Sequence, residues 1–264
     1  MPISTEKNFE EKFNLFKEWL TQQDNFTSKD MIITANESSL ASGFSNETFI
    51  FNIKEKNISK NYVLRLKPSN YQVFPEYNLK LQVDIMRCLH KKGFPAPNVI
   101  LYESNDDILG SEFYLMNFIN GEAPSDNPPY HMDPEGMVGK AVKENRRKIW
   151  TEWIHYLNKI HILNIDDLGL TELDIKYKKN DPIDIDISYY QNFLDWGMDG
   201  EDNPLCDDVL NWLRENKPKK HNALSLCWGD SRPGNILYQD FKATALLDWE
   251  MATYGDPISD IAWG

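Results

Sequence analysis

The chain is short of basic residues: 28 Lys and Arg stand against 41 Asp and Glu, a formal net charge of −13. A nucleic-acid phosphate backbone is held by clustered cations, so this balance argues against a nucleic-acid partner. It also argues against docking on anionic lipid. The acidic surface keeps the chain soluble, with a pocket for cationic ligands as the weaker reading. Cysteine is scarce, at three residues. Cys88, Cys206 and Cys227 are widely spaced and form no C-x-x-C pair, which fits buried thiols in a reducing cytosol. No apolar run approaches the roughly 18 residues of a membrane span. Met1 to Lys12 is polar and acidic, so a basic patch followed by an apolar leader is missing. The expectation is a soluble, cytoplasmic protein with no membrane partner. Repeats and low-complexity tracts are also missing. What is present in quantity is aromatic: 12% of residues, with eight Trp, which excludes a disordered chain. A length of 264 residues suits one large domain or two lobes, with a sizeable core.

Phe9, Phe13, Phe16 and Leu20 make one apolar stripe on an opening helix. Ala41 to Glu47 is a small, polar turn. Phe49, Phe51 and Ile53 alternate as in a strand, Lys54 to Lys60 reads as a polar turn, and Tyr62 to Leu66 as a second strand stopped by Pro68. A helix is expected from about Glu76 to Lys92, with Leu79, Val83, Met86 and His90 along one face; Gly93, Pro95 and Pro97 end it. Two strands follow, at Asn98 to Tyr102 and Glu112 to Ile119. Asn120 to Pro134, rich in proline, is the best linker. Beyond it the pattern turns helical: a long helix carrying Trp150 and Trp153 as core, then Ile187 to Trp196 and Leu205 to Glu215. Short strands return at Leu224 to Trp228, Ile236 to Tyr238 and Ala245 to Leu247. The fold class is α+β in two parts: a small sheet-and-helix part over 1–119 and a larger, mainly helical part over 120–264.

The chemistry concentrates in Trp228-Gly-Asp-Ser-Arg-Pro-Gly-Asn235 and Ala245-Leu-Leu-Asp-Trp-Glu250. Asp230 and Asn235 bracket a tight Pro-Gly loop, and Asp248 ends a short apolar strand thirteen residues on. Strand, loop and strand together can gather three oxygen side chains. Asn and Asp supply the hard oxygens that Mg2+ on a polyphosphate takes. A carboxylate left off the metal can accept a proton from an attacking hydroxyl. Each of these residues is also an ordinary turn former.

These segments resemble the catalytic loop of the aminoglycoside phosphotransferase family, which is similar to protein kinases in fold. That family's pattern runs H-G-D-x4-N, then an apolar strand ending I/L-D-W/F-E, then G-D-P-x-x-D. Here it reads W-G-D-S-R-P-G-N, L-L-D-W-E and Gly255-Asp-Pro-Ile-Ser-Asp260. Phe44-Ser-Asn-Glu-Thr48, Tyr62-Val-Leu-Arg65, Asn127-Pro-Pro-Tyr130 and Leu226-Cys-Trp-Gly-Asp230 look like the family's broad phosphotransferase branch. The resemblance covers nearly the whole chain after the first helix. It implies a two-lobed, protein-kinase-like fold and transfer of a γ-phosphate from ATP, or another NTP, with Mg2+, to a hydroxyl of a small molecule. Asp230 would be the base. Asn235 and Asp248 would hold the metal. Ser42, Gly43, Phe44, Ser45 and Asn46 would cover the nucleotide, Arg65 would contact its phosphates, and the backbone of Asn117 and Ile119 would read the adenine edge.

Four departures from the family pattern bear on this. Trp228 stands where His is common, a position of packing and support. Arg65 replaces Lys, with a different fork geometry. Gln82 falls near the place of the helix Glu, with Glu76 the nearest upstream carboxylate. The nucleotide turn has one glycine, Gly43, and is no G-x-G-x-x-G loop. The alternative they leave open is a kinase-like nucleotide-binding module without useful catalysis. His161 reads as a packing or hydrogen-bonding residue, and Asp181, Asp184 and Asp186 as a solvated edge. Arg232 sits inside the loop, with a phosphate or substrate contact and a surface role as its two readings. Ile258 to Gly264 opens a helix but ends after barely one turn. That carries the expectation of a truncated chain with an exposed apolar patch near Trp153 and Trp263. The identity of the acceptor and the oligomeric state are not legible.

Overall fold

The computed structural model describes residues 6–26, 30–40, 46–68, 72–220 and 222–264. The chain divides into two compact units: Met1–Val73 with Pro97–Phe118, and Phe74–Ala96 with Ile119–Gly264.

The first unit is a helix on an antiparallel sheet. Helix α1 (Glu6–Leu20) is followed by strands β1 (Met31–Leu40), β2 (Glu47–Glu55), β3 (Ile58–Leu66), β4 (Val99–Glu103) and β5 (Phe113–Asn117), in the order β1-β2-β3-β5-β4. The alternation of β2 sends Phe51 and Ile53 to one face, where they meet Phe16 and Leu20 of α1 with Leu64, Leu66, Phe113 and Leu115. The Phe16 and Phe51 rings lie 5.0 Å apart, edge to face, which adds to the burial of both. Two features depart from the expected pattern. Strand β1 was not expected: only its first half alternates Met31, Ile33 and Ala35, and its second half, Asn36 to Ser39, is polar, as suits an edge strand. The turn expected over Lys54 to Lys60 shrinks to Lys56-Asn57. There the hairpin is carried by polar side chains, with Asn52 donating to Asn61 and Ser59 to Asn52, each at 2.8 Å.

The second unit holds α2 (Leu79–Lys91), α3 (Met137–Lys140), α4 (Lys143–His161), α5 (Thr171–Tyr177), α6 (Pro182–Met198) and α7 (Pro204–Asn216). These are followed by β6 (Ser225–Cys227), β7 (Ile236–Gln239), β8 (Lys242–Leu246), β9 (Thr253–Gly255) and α8 (Ile258–Trp263). Strand β6 pairs with β9, and β7 with β8, both antiparallel. Asparagine or aspartate caps start three helices: Asn78 for α2, Asp181 before Pro182 for α6, and Asn203 before Pro204 for α7. Each side chain accepts an amide that the first turn leaves unpaired.

Helix α2 was expected with the sheet, on the near side of a boundary at 119. It groups instead with the second unit. Its flanks explain why: Asn78 bonds Glu172, Leu246 donates its amide to Pro95 at 2.7 Å, and Lys159 lies over the Phe94 ring. Of the expected face Leu79, Val83 and Met86 are buried, with Ile85 and Leu89 beside them, whereas His90 is exposed. In α4 the buried stripe is Ile149, Trp153, Leu157 and Ile160. Trp150 falls one residue, about 100°, off that stripe and is 39% exposed rather than core. Trp150, Ile154, Ile258, Ile261 and Trp263 are all exposed, whereas Trp153 is buried. Helix α5 and strand β9, each short, were not expected from the pattern.

The expected solvated edge at 181–186 holds only in part. Lys217 bridges Asp181 and Asp184 at 3.3 and 2.6 Å, but burial pushes the Asp186 carboxyl up to about 6, against the opposing pull of Lys176. A carboxyl that binds its proton more tightly folded than unfolded favours folding below the unfolded value and loses that advantage as pH rises through about 6. Asp186→Asn is therefore expected to leave stability little changed near pH 4 and to raise it by up to about 2 kcal/mol at pH 8. Denaturant melts of both proteins from pH 4 to 8 check this; an equal difference at all pH values contradicts it.

Candidate active site

The site in the second unit is assembled on β6, the loop that follows it, and the turn after β8. Trp228 is fully buried and stacks on Trp249 at 5.1 Å, with an 18° tilt. Its indole N–H donates to the carbonyls of Leu247 and Asp248 at 2.8 and 3.1 Å. The tryptophan that replaces histidine thus ties the loop to the Asp248 turn. Asp248 is half-buried, in the left-handed region at φ 64°. Gly229 follows Trp228 at φ 86°. A Cβ there would stand 2.1 Å from the Met251 carbonyl oxygen, so both the conformation and the space require glycine.

The loop is anchored from α8. Asp260 is 1% exposed. Its carboxylate accepts the backbone amides of Trp228 and Gly229 at 2.7 and 2.8 Å and His161 Nε2 at 2.8 Å. Its backbone carbonyl accepts the Ser231 hydroxyl at 2.5 Å. His161 is accordingly a hydrogen-bonding residue. His161, Cys227 and Asp260 lie close enough together to suggest a metal centre. The chemistry opposes it: the carboxylate already serves three donors, and burial, with Asp260 nearby, pushes the Cys227 thiol up to about 12. A thiol ligand must be deprotonated.

Asp230, 15% exposed, receives donors on both oxygens. Asn235 Nδ2 reaches Oδ2 at 2.7 Å, Trp263 Nε1 reaches Oδ1 at 2.7 Å, and Arg232 Nε reaches both at 3.0 and 3.1 Å. Asn235 is buried, and its backbone carbonyl accepts the Leu247 amide at 2.9 Å. That bond sets Asn235 beside the Asp248 turn. Arg232 also pairs with Asp126 at 2.6 Å. Burial works to lower the pKa of the guanidinium, and the Asp230 and Asp126 carboxylates outweigh it and raise that pKa. The structure thus joins Asp230 to Asn235 directly and Asn235 to the Asp248 turn through the backbone. Asp126 and Trp263 were missed. They lie 104 positions before and 33 after Asp230 in the chain, and neither sits in a motif.

Ser42, Gly43, Phe44 and Ser45 lie outside the described residues. Asn46 is 2% exposed, just before β2. Arg65 lies in β3, opposite Thr48 of β2 and Tyr114 of β5. Asn117 ends β5, and its amide is donated to Asn98 at 3.1 Å; Ile119 belongs to the second unit. Gln82 is buried in α2, and Glu76 is exposed ahead of the helix.

Residues 37–264 match the phosphotransferase enzyme family. The chain belongs to that family. Acyl-CoA dehydrogenase family member 11 of Rattus norvegicus is 30% identical over 225 residues, covering 84% of this chain and 26% of that protein. The chain therefore spans about a quarter of that relative's length. Two solved structures share the fold. Plasmodium vivax ethanolamine kinase superposes with a TM-score of 0.60 at 15% identity, covering 98% of this chain and 67% of that one. A thermostable mutant of the aminoglycoside phosphotransferase APH(4)-Ia, in complex with AMP-PNP and hygromycin B, gives 0.54 at 15% identity, covering 93% and 74%. The α+β, protein-kinase-like fold expected from the motifs is the fold of this family member. No helix among the described residues is long and apolar enough to cross a membrane.

Gly229→Ala is expected to destabilise the chain by about 2–4 kcal/mol, because it combines positive-φ strain with a backbone clash. A denaturation midpoint within error of the parent would show that the turn relaxes freely.

Proposed function

We propose that this chain moves the γ-phosphate of ATP, presented with Mg2+, to a hydroxyl of a small molecule. The observation that carries the proposal is the Asp230 carboxylate, held by Asn235, Arg232 and Trp263 in a loop tied to the Asp248 turn. A carboxylate fixed in this way can orient an acceptor hydroxyl and take its proton as the bond to phosphorus forms. Asn235 has Nδ2 engaged on Asp230, which leaves Oδ1 as its acceptor atom. With the Asp248 carboxylate this makes a hard-oxygen pair of the kind Mg2+ takes. The donor set therefore fits the ion, which when bound neutralises charge on the phosphates. On the nucleotide, Arg65 is the proposed phosphate contact, with Ser42 to Asn46 as the covering turn. Because the Asn117 amide is engaged by Asn98, adenine recognition at Asn117 falls to its carbonyl, with Ile119 as the backbone donor. The fold shared with an ethanolamine kinase and with a phosphotransferase in complex with hygromycin B supports a small-molecule acceptor. Three cysteines without a disulfide suit the proposed cytoplasmic setting.

Consumption of ATP across a panel of small alcohols tests the reading, with Asp230→Asn as the blank. That variant should bind nucleotide normally and lose about 10²–10⁴-fold in turnover. Undiminished turnover sinks the assignment, and nucleotide binding without turnover by the parent on any acceptor would favour a binding module. Asp248→Ala should abolish the tightening of ATP binding by Mg2+, measured by calorimetry with and without the ion. Full tightening in that variant would place the metal elsewhere.

A further inference from the structure

The two ends of the Arg232 guanidinium are held by different segments. Nε lies on Asp230, and Nη1 lies on Asp126 at 2.6 Å. Asp126 comes from outside the loop, from the stretch joined to β7 by the paired amides and carbonyls of Glu122 and Tyr238 at 2.9 and 2.8 Å. Thr244 adds a bond to the Asn120 carbonyl at 3.1 Å. The seat of Asp126 is Gly234. A Cβ on Gly234 would stand 2.9 Å from Asp126 Oδ1, although the Gly234 backbone is not in the positive-φ region. A side chain at 234 would have to push the Asp126 carboxylate aside, while the backbone conformation makes no demand for glycine. An arginine held at one end keeps rotamer freedom that it loses when held at both.

We propose that Asp126 is a positioning residue of the phosphotransfer centre: seated over Gly234, it pins Arg232 in the rotamer that holds both oxygens of Asp230. This rests on Asp230 being the proton acceptor of the proposed function. Without the pin, Asp230 keeps one donor on each oxygen, Asn235 and Trp263, and its plane can turn away from the acceptor. Asp126→Asn weakens the pin at constant shape, and Gly234→Ala displaces it at constant charge. The two changes are chemically unlike and remove the same contact, so their effects should coincide and should not add.

The test uses the full chain with MgATP and either water or the best alcohol of the panel. Each single variant is expected to lose about 10- to 100-fold in kcat, with KM for ATP within about twofold of the parent, and the double variant should fall no further. The indole N–H proton resonance of Trp263, assigned with Trp263→Phe, should move in the same direction in both. That readout does not need turnover, and if Gly234→Ala lowers the melting point, Asp126→Asn and the resonance decide. Unchanged kcat in Asp126→Asn, losses that multiply, or an unmoved Trp263 resonance overturns the inference. Asp230→Asn separates the two ideas: if it keeps full turnover, the proposed function fails. If it is inactive while Asp126→Asn and Gly234→Ala are fully active, only the positioning role fails.

Discussion

The buried carboxylate of Asp260 is the constraint on which the site depends. A carboxylate removed from water costs several kcal/mol unless its oxygens are supplied with donors. Here the donors are the amides of Trp228 and Gly229 and the ring of His161. Satisfying one buried charge thus places the first two residues of the loop, the end of α4 and the start of α8 together. The Ser231 hydroxyl on the Asp260 carbonyl extends the hold past Asp230. Asp230 itself lies between these anchored residues, so its backbone is set before any ligand arrives.

The same economy of contacts joins the loop to the turn after β8. Trp228 stacks on Trp249 and sends its N–H to two carbonyls of that turn. The aromatic pair supplies burial and the N–H supplies direction. Tryptophan at 228 therefore supplies both a hydrogen-bond donor and apolar volume. Position 229 tolerates only glycine, because the Met251 carbonyl occupies the space a side chain would need.

Periodic segments were legible because burial writes itself into spacing. The stripe of α1, the alternation of β2 and β3, and the buried face of α4 follow from one apolar side facing a core. Elements with little apolar spacing were not. Strand β1 has a polar second half, the hairpin tip is polar throughout, and α5 and β9 are short. Trp150 shows the limit of reading by type: an aromatic one residue off the stripe is exposed. Asp186 shows the converse, a carboxyl in a polar run that the fold nonetheless half-buries.

From the sequence alone came the family and the α+β class, together with the loop residues Asp230, Asn235 and Asp248, because motifs of fixed spacing carry that information locally. Tertiary structure decided which donors reach Asp230, the grouping of α2 with the second unit, and the burial of Asp260. Trp263 and Asp126 meet Asp230 and Arg232 only after the chain has folded back over 33 and 106 positions, respectively. Contacts of that range depend on packing rather than spacing, and a single sequence holds no periodic trace of them.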